Sequence, residues 1–137
     1  MNTAIETAFL AAVSTLPALA NIDQRTGVSA EEDQAHVSAT IVNCPECEHT
    51  VGPLWKATVV FRLETPAYNN DRSDHDARLN ALRAWLDDNA AVTAGIQMNG
   101  LGLRGYFVQH SRTSIEAKRW VAEIEIVAGV VDTGAGA

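Results

Sequence analysis

Apolar and polar residues alternate in two long segments of this chain, residues 55–65 and residues 119–130. Alternation with a period of two is the pattern of a β-strand that buries one of its faces. A shorter alternation covers residues 36–43. Residues 103–111 follow closely spaced glycines, which favour a bulge or a close approach of two backbones. The pattern therefore predicts four strands.

Two other segments have the three- and four-residue spacing of amphipathic helices. Residues 3–16 begin with Thr3 and Glu6, which stand in capping-box spacing. Residues 73–88 begin with Ser73, a residue type that caps helix N-termini. Residues 89–100 have no clear period, and we expect at most a short helical turn there. The sequence thus predicts two helices.

Three polar segments separate these elements, at residues 21–34, 45–54 and 66–72. None has a sustained period, and they contain glycine or proline, so we interpret them as solvated connections. The last residues, 131–137, are expected to form a disordered tail.

The predicted fold is a single α+β domain over residues 1–137, a length that can bury a core without disulfides or metals. Its element order is α-β-β-α-β-β, with a four-stranded, mainly antiparallel sheet and two helices packed on one face. Eight residues on the apolar faces are predicted to share one core. They are Trp55, Val59, Phe61, Leu79, Leu82, Trp120, Ile124 and Ile126.

The charge balance argues against nucleic acid as a direct partner. The chain has 10 Lys and Arg residues against 17 Asp and Glu residues, a net charge of −7, so its overall field repels phosphate. No apolar run reaches the roughly 20 residues that span a bilayer. The first apolar run includes Glu6 and has no preceding Lys or Arg, which favours a helix over a signal peptide. We expect no membrane association.

Cys44, Cys47 and His49 are the residues most suggestive of a metal site. A Cys-x-x-Cys pair supplies two zinc ligands, but a closed structural site needs four, and the chain has only 2 cysteines. A redox role needs the pair at the start of a helix, whereas here it follows a strand. Reduced loop cysteines are the favoured interpretation, and a metal site is the alternative.

The remaining polar clusters have structural explanations. Asp71, Asp74 and Asp76, with His75 among them, stand at a predicted helix start, where carboxylates complement the positive end of the helix. His110 has no nearby carboxylate in sequence that would complete a catalytic triad. No combination of nucleophile, base and oxyanion donors emerges, so we predict no enzymatic activity and no cofactor.

The organisation of the whole chain resembles a known family. A helix ends at Leu16 and Pro17, the second strand reads WKATVVFRLETP, the next helix carries Leu79 and Leu82, and the last strand contains WVAEIEI. This order is similar to that of the tail terminator and minor tail proteins of long-tailed bacteriophages and prophages. The resemblance implies a homohexameric ring at the head-proximal end of the tail that stops tube polymerisation and contacts the head–tail connector. It also implies a location in the virion, with assembly in the host cytoplasm.

Under this resemblance, the partner-binding residues are expected in exposed polar segments, which have no evident folding role. They would contact a neighbouring subunit or the tail tube protein. These residues are Glu31, Glu32, Asp33, Tyr68, Asn69, Asn70 and Asp71. The second class of function is a small metal-binding or adaptor protein that uses Cys44, Cys47 and His49.

Overall fold

The computed structural model describes residues 2–19, 23–26, 36–41, 48–49, 54–66, 72–116 and 119–131. This part of the chain contains three helices and a six-stranded sheet. The helices are α1 (Asn2–Val13), α2 (Arg72–Asp87) and α3 (Asn89–Met98). The strands are β1 (Asp23–Thr26), β2 (His36–Ile41), β3 (Glu48–His49), β4 (Leu54–Pro66), β5 (Gly102–Glu116) and β6 (Arg119–Val131).

The three long strands of the sheet are neighbours and antiparallel, in the order β4-β6-β5. Beyond β4, the antiparallel strand β2 and then the parallel strand β1 extend the sheet on one side. The two-residue strand β3 also pairs with β4, next to Trp55 and Lys56. Among the described residues, β1 and β5 therefore lie at the two ends of this strand order, and the short β3 also pairs with only one strand.

The predicted four-stranded architecture with the order α-β-β-α-β-β is wrong. The described chain has the order α-β-β-β-β-α-α-β-β, because β1, β3 and α3 are additional elements. β1 falls in a segment interpreted as a solvated connection, and β3 falls in a predicted loop. Both are held by backbone pairing with a neighbouring strand, which requires no alternation of side chains and therefore leaves little signal in the sequence.

The third helix, α3, replaces the short turn expected after residue 88. Asp88 caps it by accepting a hydrogen bond from the backbone N–H of Ala91 at 3.2 Å. Gly95 allows α3 to approach α1 closely, because a Cβ atom at this position would lie 3.0 Å from the Cβ of Ala12. Besides the burial of Val92 and Ile96, this helix is thus stabilised by a cap and a small-residue contact.

The core lies between the three helices and one face of the sheet, which we call the helix face. α1 contacts β1 and β2, α2 contacts β4 and β6, and α3 contacts α1, α2 and β5. Six of the eight predicted core residues are buried there. These are Val59, Phe61, Leu79, Leu82, Ile124 and Ile126. Trp55 is only partly buried at the edge of the core, and Trp120 is partly exposed and lies outside the buried cluster.

Candidate assembly surface

The 15-residue outer strand β5 pairs with β6 and has no partner on its other side among the described residues. Two irregularities interrupt the pairing, between Leu103 and Gly105 and between Val108 and His110. The first lies beside the glycines for which a bulge was predicted. After the second, residues 110–116 pair regularly. This last run is an uninterrupted strand edge at the end of the described sheet, and such edges favour pairing with another chain.

Exposed apolar side chains concentrate on the same strand. Among the described residues, four large hydrophobic side chains are exposed, and three of them belong to β5. Phe107 is 59% exposed, Val108 45% and Ile115 73%, whereas the fourth, Met98, ends α3. All three side chains stand on one outer strand, and this favours a contact along its edge.

Two side-chain hydrogen bonds fix β5 against α2. The hydroxyl of Tyr106 donates to the backbone oxygen of Leu86 at 2.5 Å, and Nη2 of Arg83 donates to Oγ of Ser111 at 3.4 Å. Burial raises the pKa of the Tyr106 phenol, and the nearby carboxylates of Asp87 and Asp88 act in the same direction. The phenol therefore stays protonated as a donor, and the outer strand is tied to the helix layer.

Between α2 and β5, the helix face of the sheet is open. Two cavities of about 230 and about 250 Å³ follow each other along this groove. The first is lined by Arg83, Leu86, Asp87, Val108, Ser111 and Ile124. The second is lined in part by His75, Leu79, Thr113, Ile115 and Trp120. The groove runs beside the open edge, so a strand added to β5 would place alternate side chains next to it.

A row of charged residues crosses the opposite face of the sheet, which we call the far face. Arg62, Glu123 and Arg112 stand directly opposite one another on β4, β6 and β5. Oε1 of Glu123 accepts from Nη1 of Arg62 at 2.5 Å and from Nη2 of Arg112 at 2.7 Å. Arg62 also donates to Glu64 at 3.3 Å. The row alternates in sign and ends at the outer strand on a cation, Arg112, that is 53% exposed.

His75 is buried at the start of α2, where it helps to join this helix to the sheet. Its Nδ1 lies 2.9 Å from Oγ1 of Thr65, and its ring is 6.2 Å from that of Trp120. Burial lowers the pKa of His75, and Arg78 and Arg72 lower it further, while Asp76 opposes them. The imidazole is thus held neutral, as a structural hydrogen-bonding group between α2 and β4.

The acidic residues around His75 fit the structural interpretation. Asp74 lies in the first turn of α2 and is exposed. Asp76 is also exposed, and its Oδ2 lies 3.8 Å from Nε of Arg72, four residues earlier on the helix. In the described ranges, no group of three or more His, Cys, Asp and Glu residues is placed to hold a metal ion.

Most of the predicted partner-binding and metal-ligating residues lie outside the described residues. This applies to Glu31, Glu32, Asp33, Tyr68, Asn69, Asn70, Asp71, Cys44 and Cys47. The backbone of His49 is described in β3, where it pairs with Trp55. These site predictions remain predictions.

The open edge of β5 was not among the predicted sites. Ile115 lies beyond residue 111, where the strand was expected to end, and a single sequence does not show which strand is outermost. An apolar residue in the polar run HSRTSIE was the one available signal.

The described helices include none long and apolar enough to cross a membrane.

No family model matches the chain, and no curated protein matches it.

Proposed function

We propose that this protein is a ring-forming structural subunit that closes the head-proximal end of a bacteriophage tail. In this role, six copies assemble into a ring on the last layer of tail tube subunits. The ring stops polymerisation of the tube and offers its other side to the head–tail connector. The proposal joins the resemblance of the whole chain to the open strand edge of the structure.

The observation that carries the proposal is the position of β5. A 15-residue outer strand with exposed Phe107, Val108 and Ile115 is unfavourable in a solitary protein, because it exposes apolar surface and backbone hydrogen-bonding groups. Its attachment to α2 through Tyr106 and Arg83 keeps it in a defined position. A rigid, partly apolar edge of this kind supports a function in self-assembly.

The acidic residues Glu31, Glu32 and Asp33, and the polar residues 68–71, remain the proposed contacts with a neighbouring subunit or the tube. Polar connecting segments are common sites of recognition. Deletion of residues 31–33 should leave the subunit folded and weaken its assembly, giving tails of irregular length or tails that do not join heads.

The proposal is tested by placing a charge on the outer strand. Ile115→Lys and, separately, Phe107→Lys should shift the purified protein from a six-subunit species toward the monomer, as measured by size exclusion with light scattering. Met98→Lys is the matched control, because Met98 is 84% exposed but lies at the end of α3. Unchanged assembly in both β5 variants would contradict a role for this edge.

Electron microscopy of phage lysates tests the biological role. Lysates that lack this protein should contain tails of irregular length and unattached heads, and the wild-type gene supplied in trans should restore complete particles. Uniform, head-attached tails without the protein would overturn the proposal. Zinc bound at one ion per chain, together with unfolding by a chelator, would favour the metal-binding alternative instead.

A further inference from the structure

We infer that neighbouring copies in the assembly join by antiparallel pairing of β5 of one copy with β1 of the next, with Asp23 opposite Arg112. This inference rests on the proposed ring and specifies its subunit contact. It would turn the sheets of all copies into one continuous sheet. The partner at the edge of β5 is therefore a second copy of this chain.

The sheet has suitable edges at its two ends. Among the described residues, β1 pairs only with β2, and β5 pairs only with β6. When the contact joins two different edges, each copy keeps one unpaired edge for the next copy. A head-to-tail contact of this kind can close into a ring. A contact between two β5 strands would be complete after two copies and would leave both β1 strands unused.

Strand direction fixes the sense of the pairing. β1 runs parallel to β2, and each further step across the sheet, through β4, β6 and β5, reverses direction. β1 and β5 therefore run in opposite directions within one copy. When a second copy continues the sheet in the same orientation, its β1 therefore lies antiparallel to β5.

The charged row on the far face selects the register. Asp23 stands in a row with His36, Glu64, Val121 and Ser114, so its register position belongs to the far face. Residues directly opposite each other in adjacent strands share a face, which restricts Asp23 to positions on the far face of β5. In the regular run these positions are His110, Arg112, Ser114 and Glu116.

Of these four positions, Arg112 carries the permanent positive charge. The row Arg62–Glu123–Arg112 alternates in sign up to the open edge, and a carboxylate in the next strand would continue it. Arg112 donates to Glu123 and is 53% exposed, so its positive charge also acts on a carboxylate in a strand placed beside it. Pairing Asp23 with Arg112 then places Gln24 opposite Ser111, beside the groove along α2.

Disulfide trapping tests this register in the full-length chain. The background is Cys44→Ser with Cys47→Ser, which removes the natural thiols. Gln24→Cys and Ser111→Cys are added together, and the assembled protein is oxidised and separated without reductant. Directly opposite Cβ atoms lie about 4.5–5.5 Å apart, close to the span of a disulfide. We expect a ladder of covalent multiples that ends at the size of the ring.

Three control variants distinguish the proposed contact from other contacts. Gln24→Cys alone and Ser111→Cys alone should give no covalent species. Gln24→Cys with Thr113→Cys places both thiols on the same face of the sheet but shifts their register by two residues. The two Cα atoms are then about 7 Å further apart along the strand. This pair should crosslink at least tenfold more slowly. A two-chain product from Ser111→Cys alone would show that β5 meets β5 and would overturn the inference.

The outcomes also separate this inference from the proposed function. Uniform rings in electron micrographs without a Gln24–Ser111 crosslink would overturn the strand pairing and leave the ring-forming role intact. A protein that stays monomeric at all concentrations and does not crosslink would overturn both. Equal crosslinking of the Thr113 and Ser111 pairs would overturn the register.

Discussion

The indole ring of Trp85 stands edge-on to the phenyl ring of Phe61, with 6.2 Å between the ring centroids and 88° between the ring planes. Phe9 packs against the same phenyl ring at 5.8 Å. The three rings belong to α2, β4 and α1, so this contact joins two helices to the centre of the sheet. Phe61 is fully buried within it.

Phe61→Ala should therefore reduce the free energy of unfolding by roughly 3 to 5 kcal/mol, through lost burial and a residual cavity between the helices and β4. Chemical denaturation under conditions where the protein is monomeric measures this loss. Phe107→Ala is the control, because its ring is 59% exposed and its removal should change stability by under about 0.5 kcal/mol. A loss below about 1 kcal/mol for Phe61→Ala would contradict its assignment to the core.

Glu123→Gln should destabilise the subunit, because the carboxylate accepts hydrogen bonds from two guanidinium groups and is itself only 21% exposed. Hydrogen bonds to charged groups contribute roughly 1.5 to 3 kcal/mol when partly buried, and we expect a loss near the lower end. Glu125→Gln, two residues along β6 on the same face, should have little effect in the same denaturation experiment. Equal losses for the two variants would contradict a specific role for the charged row.

The stability of the subunit should fall as the pH drops below 6.5, because of His75. Burial lowers its pKa below the ordinary value of 6.5, so the unfolded chain binds this proton more readily than the folded one. The contribution of the neutral imidazole is fully present above pH 6.5. It is lost progressively as the pH falls through the lowered pKa of the folded state.

Urea unfolding at about pH 7.5 and about pH 5 measures this dependence. His75→Gln should reduce the difference in stability between the two pH values. If the pH dependence of stability persists in His75→Gln, groups other than His75 cause it.

Folding should not depend on the thiols or on a metal. Replacing Cys44 and Cys47 with Ser should leave the Tm within a few degrees, the shift that corresponds to less than about 1 kcal/mol in a domain of this size. Thermal unfolding with and without a chelator, together with metal analysis of the purified protein, checks this. A large fall in Tm in both the Ser variant and the chelated wild type would favour the zinc-binding alternative.

Elements with a strong local pattern were predicted correctly. The alternation after Trp55 and after Arg119 gives β4 and β6, and the helical spacing around Leu79 gives α2, each within about two residues of its observed ends. These segments bury one face, so the period of their apolar residues reports their structure directly. Six buried core positions follow from the same patterns.

Other features were decided by contacts between distant parts of the chain. β1 exists because its backbone pairs with β2, and α3 exists because Asp88 caps it and Gly95 lets it pack on Ala12. The sequence by itself determined which segments have an apolar face, because that property is local. Only the tertiary structure decided that β5 is outermost, that Arg112 ends a charged row and that Ile115 stays exposed, because each depends on which strands become neighbours.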